Sequence, residues 1–476
     1  MTTAEEPVLV PVGHHHGVLH GATPSATVRL GTTNSELDDA EYATWMLAHG
    51  AEGDEPRRLL TATELAPLVG PAGEDVVGRL RSRGLLVEVP TEPAGFPAFA
   101  AAYRLVPVVF GLGNAPSGPG WRFWVGLPGE DLGRSAGLSG QWAELTVLGY
   151  EIWRWSAATR SLAEACERLV TVAGPVPVGP RIALGEVDSA TALDHGFQLI
   201  EPLVTGWTAV LQPASGGPLV PAHRVTLPAV DPVDPALTED PEEILELPLF
   251  PGRPASASRR VPRWEIHPGH PGAAGWLFAV GHDGGPLYHP ADGAPVGHTL
   301  RIGAEDHRLS ESDARLWELT RAASSDRLWT RTALAAAAVG EGVPDAGKQV
   351  DELVERGVLV EVHPGTEQAD AFARGYRLWP LLHGLGNPPD KPDLFALGVP
   401  GRRPVTSVLA GASPLWRMAG QWPSLWDVAT ALTTHLAGLG QTERRYTDPH
   451  AFLTYEVFHG IREGLADGVA YLDLAP

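Results

Sequence analysis

Two stretches of fourteen residues in this chain are nearly the same: YRLVPVVFGLGNAP begins at Tyr103, and YRLWPLLHGLGNPP begins at Tyr376. Their surroundings repeat as well, because RSRGLLVEV around Gly84 aligns with VERGVLVEV around Gly357 at the same offset of 273 residues. A constant offset over this distance indicates a tandem duplication. Each half of the chain is therefore expected to fold into the same series of elements, which excludes many architectures from the start.

The length of the chain also predicts more than one domain. Its 476 residues exceed the roughly 250–300 residues at which a single hydrophobic core stops growing. Between the halves lies a proline-rich, acidic stretch, DPVDPALTEDPEEILELPLFPGRP, which is typical of a linker and is expected to be cut first by proteases, between Val230 and Arg260. The predicted segments are module 1 at 1–100, module 2 at 101–214, the linker at 215–262, module 3 at 263–373 as the repeat of module 1, and module 4 at 374–476 as the repeat of module 2.

The first module of each half has the element order of a winged helix. Short β-type runs come first, followed by a helix with a capping pattern, Asp38 and Glu41 in module 1 and Ser310 and Asp313 in module 3. Two further helices follow, and the third ends at Gly84, directly before the strand LLVEV. The second modules repeat this theme less clearly. The expected fold class is α+β: a tandem duplication of winged-helix-like modules, two per half and four in total, joined by the Pro-rich linker.

Among winged-helix proteins, this arrangement resembles the RiPP recognition element, a peptide-binding module of ribosomal natural-product maturation. The matching residues are Leu37, Trp45, Thr63, Leu65, Val77, Leu80, Gly84 and Leu85 in the first half, and Leu309, Trp317, Thr332, Leu334, Leu353, Gly357 and Val358 in the second. The resemblance covers about 60 to 70 residues of each half. The chain departs from the usual case because it carries the module twice and no attached enzyme domain is recognisable.

The resemblance implies that an extended peptide or partner segment adds to an exposed sheet edge, with the third helix as the opposite wall of the groove. The residues expected to bind this peptide or protein partner are Val77, Leu80, Arg81, Val350 and Leu353.

A run of histidines is the densest group of candidate metal ligands. If the segment VLVPVGHHHGVLH forms a hairpin, His14 and His16 share one face, and His20 approaches from the returning strand. No carboxylate accompanies them, so a polar turn is the favoured interpretation and a metal site is the alternative.

The repeated GLGN phrase invites comparison with phosphate-binding loops, in which glycines let backbone N–H groups approach an anion. It lacks both the Lys-Ser/Thr of a P-loop and the glycine spacing of a dinucleotide fingerprint. We therefore expect a turn that ends a strand. Its residues are Gly111, Gly113 and Asn114 in the first copy and Gly384, Gly386 and Asn387 in the second.

The net charge of −22 bears on nucleic-acid binding, which collects affinity through clusters of Lys and Arg. Three arginines, Arg79, Arg81 and Arg83, lie on the third helix of module 1, where a DNA-reading winged helix needs them. The aligned helix of module 3 is acidic. Nucleic acid is thus a disfavoured partner, although a DNA-binding transcription regulator remains the alternative function.

The remaining features favour a soluble binding protein. The N-terminal MTTAEEPVLVPVG lacks the basic and apolar regions of a signal peptide, and no apolar run approaches the roughly 20 residues that span a bilayer, so we expect a cytoplasmic protein that does not contact membranes. Cys166 is the one cysteine and is expected to be a buried thiol. No catalytic motif or cofactor fingerprint is present, so no cofactor is predicted. The favoured function is a non-enzymatic adaptor, with an enzyme whose site is unrecognised as the third possibility; the oligomeric state stays open.

Overall fold

The computed structural model is an α+β structure with several small sheets. It describes residues 6–19, 25–50, 57–90, 92–117, 120–127, 141–172, 187–214, 227, 244–248, 258–262, 275–288, 293–322, 329–387, 390–391, 394–409 and 413–476. Within these ranges no helix is both long and apolar enough to cross a bilayer. Most of the predicted linker and His20 of the histidine run lie outside the described residues.

Residues 8–107 form a series of short strands and helices. The strands are β1 (Val8–Pro11), β2 (His14–Leu19), β3 (Ser25–Leu30), β4 (Thr33–Leu37), β5 (Leu60–Thr61), β6 (Leu86–Val89) and β7 (Tyr103–Pro107). The helices are α1 (Asp39–Leu47), α2 (Ala62–Val69), α3 (Gly73–Ser82) and α4 (Phe96–Ala102).

The chain then continues to the predicted linker through four strands and three helices. The strands are β8 (Phe110–Ser117), β9 (Gly120–Gly126), β10 (Gln141–Leu145) and β11 (Ala209–Pro213), and the helices are α5 (Val147–Ser156), α6 (Leu162–Val172) and α7 (Ser189–Thr205). Within the predicted linker, β12 (Ile244–Pro248) and β13 (Ser258–Pro262) pair with each other.

Residues 276–380 give a series with nearly the same order. The strands are β14 (Trp276–Ala279), β15 (His282–Tyr288), β16 (Pro295–Ile302), β17 (Glu305–Leu309), β18 (Leu359–Val362) and β19 (Tyr376–Pro380). The helices are α8 (Glu311–Arg321), α9 (Arg331–Gly340), α10 (Ala346–Glu355) and α11 (Glu367–Gly375).

The C-terminal part ends in a long helical region and a strand. The strands are β20 (His383–Gly386), β21 (Leu394–Gly398), β22 (Thr406–Leu409) and β23 (Ala470–Leu474). The helices are α12 (Ser413–Ala419), α13 (Leu425–Gly438), α14 (Arg444–Thr447), α15 (Pro449–Phe452) and α16 (Phe458–Ala466), with a π-helical turn at Leu453–Val457.

Local sequence signals account for the helix boundaries. Asp38 and Glu41 form the expected capping box at α1, and the Ser310 side chain accepts from Asp313 N at α8. Gly84 follows α3 with a φ of 70°, which a glycine adopts without steric cost. These predicted starts and stops are confirmed.

The described strands form eight sheets. The largest has the order β22-β21-β20-β2-β3-β4, and a three-stranded sheet has the order β5-β1-β6. The other sheets are β10-β9-β8, β11-β7, β12-β13, β14-β18, β15-β16-β17 and β19-β23. In the largest sheet the two halves of the sequence meet, because β2 pairs in parallel with β20 at Val18 and Gly386.

The described chain divides into two compact units that do not follow the order of the predicted modules. Unit 1 comprises Met1–Val220, Asp283–Arg308 and Leu381–Val408. Unit 2 comprises Pro221–His282, Leu309–Pro380 and Leu409–Pro476. Strand pairing explains why unit 1 takes segments from both halves of the sequence, since β20 and β21 extend the sheet of β2, β3 and β4.

Candidate functional site

The outer edge of β6 is the starting point of the candidate site. Leu85 O accepts a hydrogen bond from Val12 N, at 2.9 Å, so Leu85 faces β1. Successive residues of an antiparallel strand direct their N–H and C=O groups to opposite sides. The backbone groups of Leu86 and Glu88 therefore face away from β1, and no described strand pairs with that side of β6.

A groove of about 520 Å³ lies beside this edge. It is lined by Gly78, Arg81 and Ser82 of α3, Leu86, Val87 and Glu88 of β6, and Tyr103 of β7. Gly84 creates this geometry because its left-handed conformation ends α3 and sends the chain directly into β6. The third helix and the strand edge thus form two walls of one groove, all within unit 1.

The polar rim of the groove carries both signs of charge. Arg81 of α3 forms an ion pair with Glu88 of β6, and both side chains are 44% exposed. Such an exposed pair is worth about 0–1 kcal/mol, so a ligand can displace it at little cost. A beta carbon on Gly78 would have no heavy atom within 4 Å, which leaves room for a ligand side chain there.

Most of the predicted binding residues lie in the core. Val77, Leu80, Val350 and Leu353 are each less than 5% exposed, because they form the inward faces of α3 and α10. Of the five residues expected to bind a peptide, only Arg81 lines the groove. Gly78, Glu88 and Tyr103 line the groove but are not among the predicted residues. The charged residue within the apolar run LLVEV is the sequence signal that could have indicated Glu88.

The other two arginines of α3 form ion pairs within unit 1. Arg83 Nη1 lies 2.6 Å and Arg79 Nε lies 3.2 Å from the carboxylate of Glu41, whose side chain is 7% exposed. Arg83 Nη2 also donates to Glu36 O at 2.6 Å. Arg79 Nη2 also lies 3.4 Å from Asp38 Oδ2, so the two arginines face two carboxylates and connect the end of α3 to the start of α1.

The GLGN phrase lies inside β8 in the first copy, contrary to the predicted strand-ending turn, whereas in the second copy it coincides with the end of β20. Gly111, Gly113 and Asn114 belong to β8, and Gly384 and Gly386 belong to β20, directly before Asn387. A beta carbon on Gly384 would lie 2.7 Å from His16 C, and one on Gly111 would lie 2.6 Å from Gly284 O. The glycines therefore permit close approach of two backbones, and Asn114 Nδ2 donates to Tyr288 O at 3.1 Å.

The histidine run is a buried strand, so its interpretation as a polar turn is wrong. His14, His15 and His16 belong to β2 and are at most 2% exposed. His14 Nε2 donates to Leu382 O at 2.6 Å, and the His14 ring centroid lies 5.3 Å from that of His383. Among the described residues, no three His, Cys, Asp or Glu side chains are arranged to hold a metal ion.

Aromatic neighbours explain how these histidines are accommodated. His15 stacks on Tyr42 and forms a 3.1 Å hydrogen bond to its hydroxyl. His49 stacks on Trp207 with 3.6 Å between ring centroids, and Trp207 also contacts His383. Burial lowers the pKa of His15 to about 4 and that of His383 to about 3, so both are neutral at pH 7. The histidine cluster comprises the buried His14, His15, His16, His49 and His383 around the β2–β20 pairing. Burial lowers the pKa of four of its members, His14, His15, His49 and His383.

Cys166 is buried, as expected from its position on an amphipathic helix. Burial raises the pKa of its thiol to about 12, so the thiolate that would act as a nucleophile is scarce at neutral pH.

The chain matches no protein-family model, and comparisons with curated proteins and with solved structures find no significant similarity.

Proposed function

We propose that this chain is a non-enzymatic adaptor that captures an extended peptide, or an extended segment of a partner protein, by strand addition at β6. The observation that carries the proposal is the groove between α3 and the outer edge of β6, with which none of the described strands pairs. Strand addition uses main-chain hydrogen bonds for affinity and pockets for alternate side chains for specificity. The backbones of Leu86 and Glu88 supply the main-chain hydrogen bonds, and the space above Gly78 beside Tyr103 supplies a side-chain pocket.

The fold proposed with this function is a tandem duplication of winged-helix-like modules. Support comes from the constant sequence offset and from the shared order of elements, in which a strand follows the third helix at Gly84 and again at Gly357. The resemblance to RiPP recognition elements makes the precursor peptide of a ribosomal natural product the first ligand class to test.

The charges around α3 favour a peptide over DNA. Arg79 and Arg83 are paired with Glu41, and Arg81 is paired with Glu88. A DNA-reading helix needs such side chains directed at phosphates and base edges. Breaking these ion pairs would weaken that binding mode, whereas an added peptide strand needs only the Arg81–Glu88 pair to move.

A display library of random twelve-residue peptides, panned on the intact chain, provides a ligand for the test. Binding of a selected peptide is then measured by fluorescence anisotropy to the natural chain and to Glu88→Pro, which removes an outward N–H group from an edge position where proline is tolerated. Losing one main-chain hydrogen bond of about 1–1.5 kcal/mol predicts roughly tenfold weaker binding.

Glu88→Gln is the matched control, because it removes the ion pair with Arg81 but keeps the N–H group. We expect it to bind within about threefold of the natural chain. Unchanged thermal unfolding shows that both variants are folded. Equal affinity of the natural chain and Glu88→Pro, or a library that yields no binding peptide, would overturn strand addition at β6.

A further inference from the structure

The second half of the chain contains a strand aligned with β6, and its outward groups can be identified in the same way. Val280 N donates to Val358 O at 3.0 Å, so Val358 faces β14. By alternation, Glu361 and His363 direct their backbone groups away from β14. Glu361 aligns with Glu88 at the offset of 273 residues that relates the two halves.

The side chain of Gln368 forms hydrogen bonds with these outward backbone groups. Its Nε2 donates to Glu361 O at 3.2 Å, and its Oε1 accepts from His363 N at 2.9 Å. A single carboxamide thus supplies one donor and one acceptor to two neighbouring positions of the strand edge. An added peptide strand would present the same pair of groups to the same two positions.

Arg331 links the same edge to the third helix through ion pairs. Arg331 Nε donates to Glu361 Oε2 at 2.9 Å, and Arg331 Nη1 lies 2.5 Å from Asp351 Oδ1 on α10. Asp351 aligns with Gly78, which lines the groove in the first half. Tyr376 aligns with the groove residue Tyr103 and is 2% exposed.

The first half keeps the glutamate and the tyrosine but lacks the glutamine, the arginine and the second outward N–H group. Gly95 stands at the position aligned with Gln368, and Pro90, which has no N–H group, stands at the position aligned with His363. Thr61 and Thr330 are the N-caps of α2 and α9, so Ala62 is the counterpart of Arg331. The two aligned edges therefore differ in side chains, although their strands and helices correspond.

We propose that Gln368 is a built-in plug on the edge of β18, reinforced by Arg331, so that of the two aligned edges only β6 accepts a peptide. The duplicated chain then binds one extended peptide instead of two. This inference rests on the proposed strand addition at β6 for its functional meaning, while the plug itself is testable without any ligand.

Hydrogen–deuterium exchange of the intact chain, read at single residues, tests the plug directly. We expect the amide of His363 to be protected, and Gln368→Ala to accelerate its exchange by about tenfold or more. Gln368→Glu is the matched control, since its carboxylate still accepts from His363 N, and protection should persist. Fast exchange of His363 in the natural chain, or no change in Gln368→Ala, would overturn the proposal.

Calorimetric titration with the library-selected peptide tests the consequence. The natural chain should bind one peptide, and Arg331→Ala/Gln368→Gly should gain a second site. The plug transplanted into the first half as Pro90→His/Gly95→Gln should weaken binding by about tenfold or more. Two peptides bound to the natural chain would overturn the inference while leaving strand addition intact, whereas an absence of any peptide binding would remove the proposed function and leave the exchange result to decide on the plug.

Discussion

A beta carbon placed on Gly17 would lie 2.0 Å from the backbone nitrogen of Gly386. The same relationship holds between Gly285 and Gly113, at 2.1 Å. At both places a strand from one half of the sequence approaches the GLGN strand of the other half so closely that no side chain fits between them. Both copies of the phrase therefore make the same kind of close backbone approach.

Substituting a glycine at one of these close backbone approaches should destabilise unit 1. Gly384 has no left-handed φ, so Gly384→Ala adds only crowding, with the new methyl group 2.7 Å from His16 C. We expect the free energy of unfolding to fall by about 1–3 kcal/mol, measured by urea titration. Gly347→Ala, a helical glycine with no neighbour within 4 Å, is the control and should be neutral or slightly stabilising. Equal stability of the two variants would contradict the crowding argument.

The first-helix tryptophans should be major contributors to stability. Trp45 and Trp317 are at most 1% exposed, and the Trp317 indole donates to Val280 O at 3.0 Å. Trp317→Ala should cost about 3–5 kcal/mol as a large-to-small core change. Trp317→Phe, which keeps most of the ring volume but leaves Val280 O without this donor, should cost about 1–3 kcal/mol. Denaturant midpoints of the two variants measure the difference, and a cost below 1 kcal/mol for Trp317→Ala would exclude a core role.

Stability should fall on acidification because of the buried histidines. The pKa of His15 is about 4 and that of His383 about 3 in the folded chain, against 6.5 when unfolded, so below pH 6.5 the unfolded state binds more protons. The free energy of unfolding is therefore not reduced by these two histidines above pH 6.5. As the pH falls from 6.5 toward 3–4, it decreases by about 1.4 kcal/mol per pH unit for each histidine. Nearby Arg29 further disfavours a proton on His14.

His383→Phe tests this pH dependence, because Phe110 stands at the aligned position in the first half. We expect the slope of unfolding free energy against pH between 6 and 4 to drop by about 1.4 kcal/mol per unit. His435→Gln, on the exposed side of α13, is the surface control measured alongside it. An unaltered slope in His383→Phe would mean that His383 already titrates normally.

Salt dependence should separate peptide binding from DNA binding. With a net charge of −22 and the α3 arginines engaged, we expect no specific duplex binding near 10⁻⁸ M at physiological salt. Strand addition should respond weakly to salt, whereas phosphate contacts weaken steeply as counterion release loses its advantage. Fluorescence anisotropy with fragmented genomic DNA and with the selected peptide, each at low and moderate salt, makes the comparison. Tight, sequence-selective DNA binding that weakens steeply with salt would favour a DNA-binding transcription regulator over an adaptor.

Cutting the chain between its halves should not separate them. Unit 1 includes segments from both sides of the predicted linker, and Leu382 N donates to Val108 O at 2.7 Å. A chain cleaved at an engineered protease site between Val230 and Arg260 should therefore elute as one particle in size-exclusion chromatography. Its two fragments should separate only in denaturant. Two separate native peaks would refute this association.

Local features were predictable from the sequence, and long-range features were not. The capping box at Asp38, the stop at Gly84 and the burial of Trp45 each follow from a few neighbouring residues. The pairing of Val18 with Gly386 leaves no local signal, so the sequence alone predicts a turn for the histidine run and a strand end for the glycine phrase.

Most of the groove residues are not predictable from the sequence for a related reason. Apolar residues such as Val77 and Leu80 attract attention as ligand contacts, but the hydrophobic effect places them in the core first. The plug depends on how the side chain of Gln368 reaches back to Glu361, seven residues earlier, and nothing in the composition of that segment indicates it.

The distance in sequence between His14 and Leu382 also bears on how the chain is made. Their hydrogen bond joins residues 368 positions apart. At about 5–20 residues per second, a ribosome needs roughly 20 to 70 s to synthesise that interval, and the sheet around β2 stays incomplete throughout. The apolar neighbours of the histidine cluster are meanwhile open to chaperones and to neighbouring nascent chains, so the yield of folded protein should depend on translation rate.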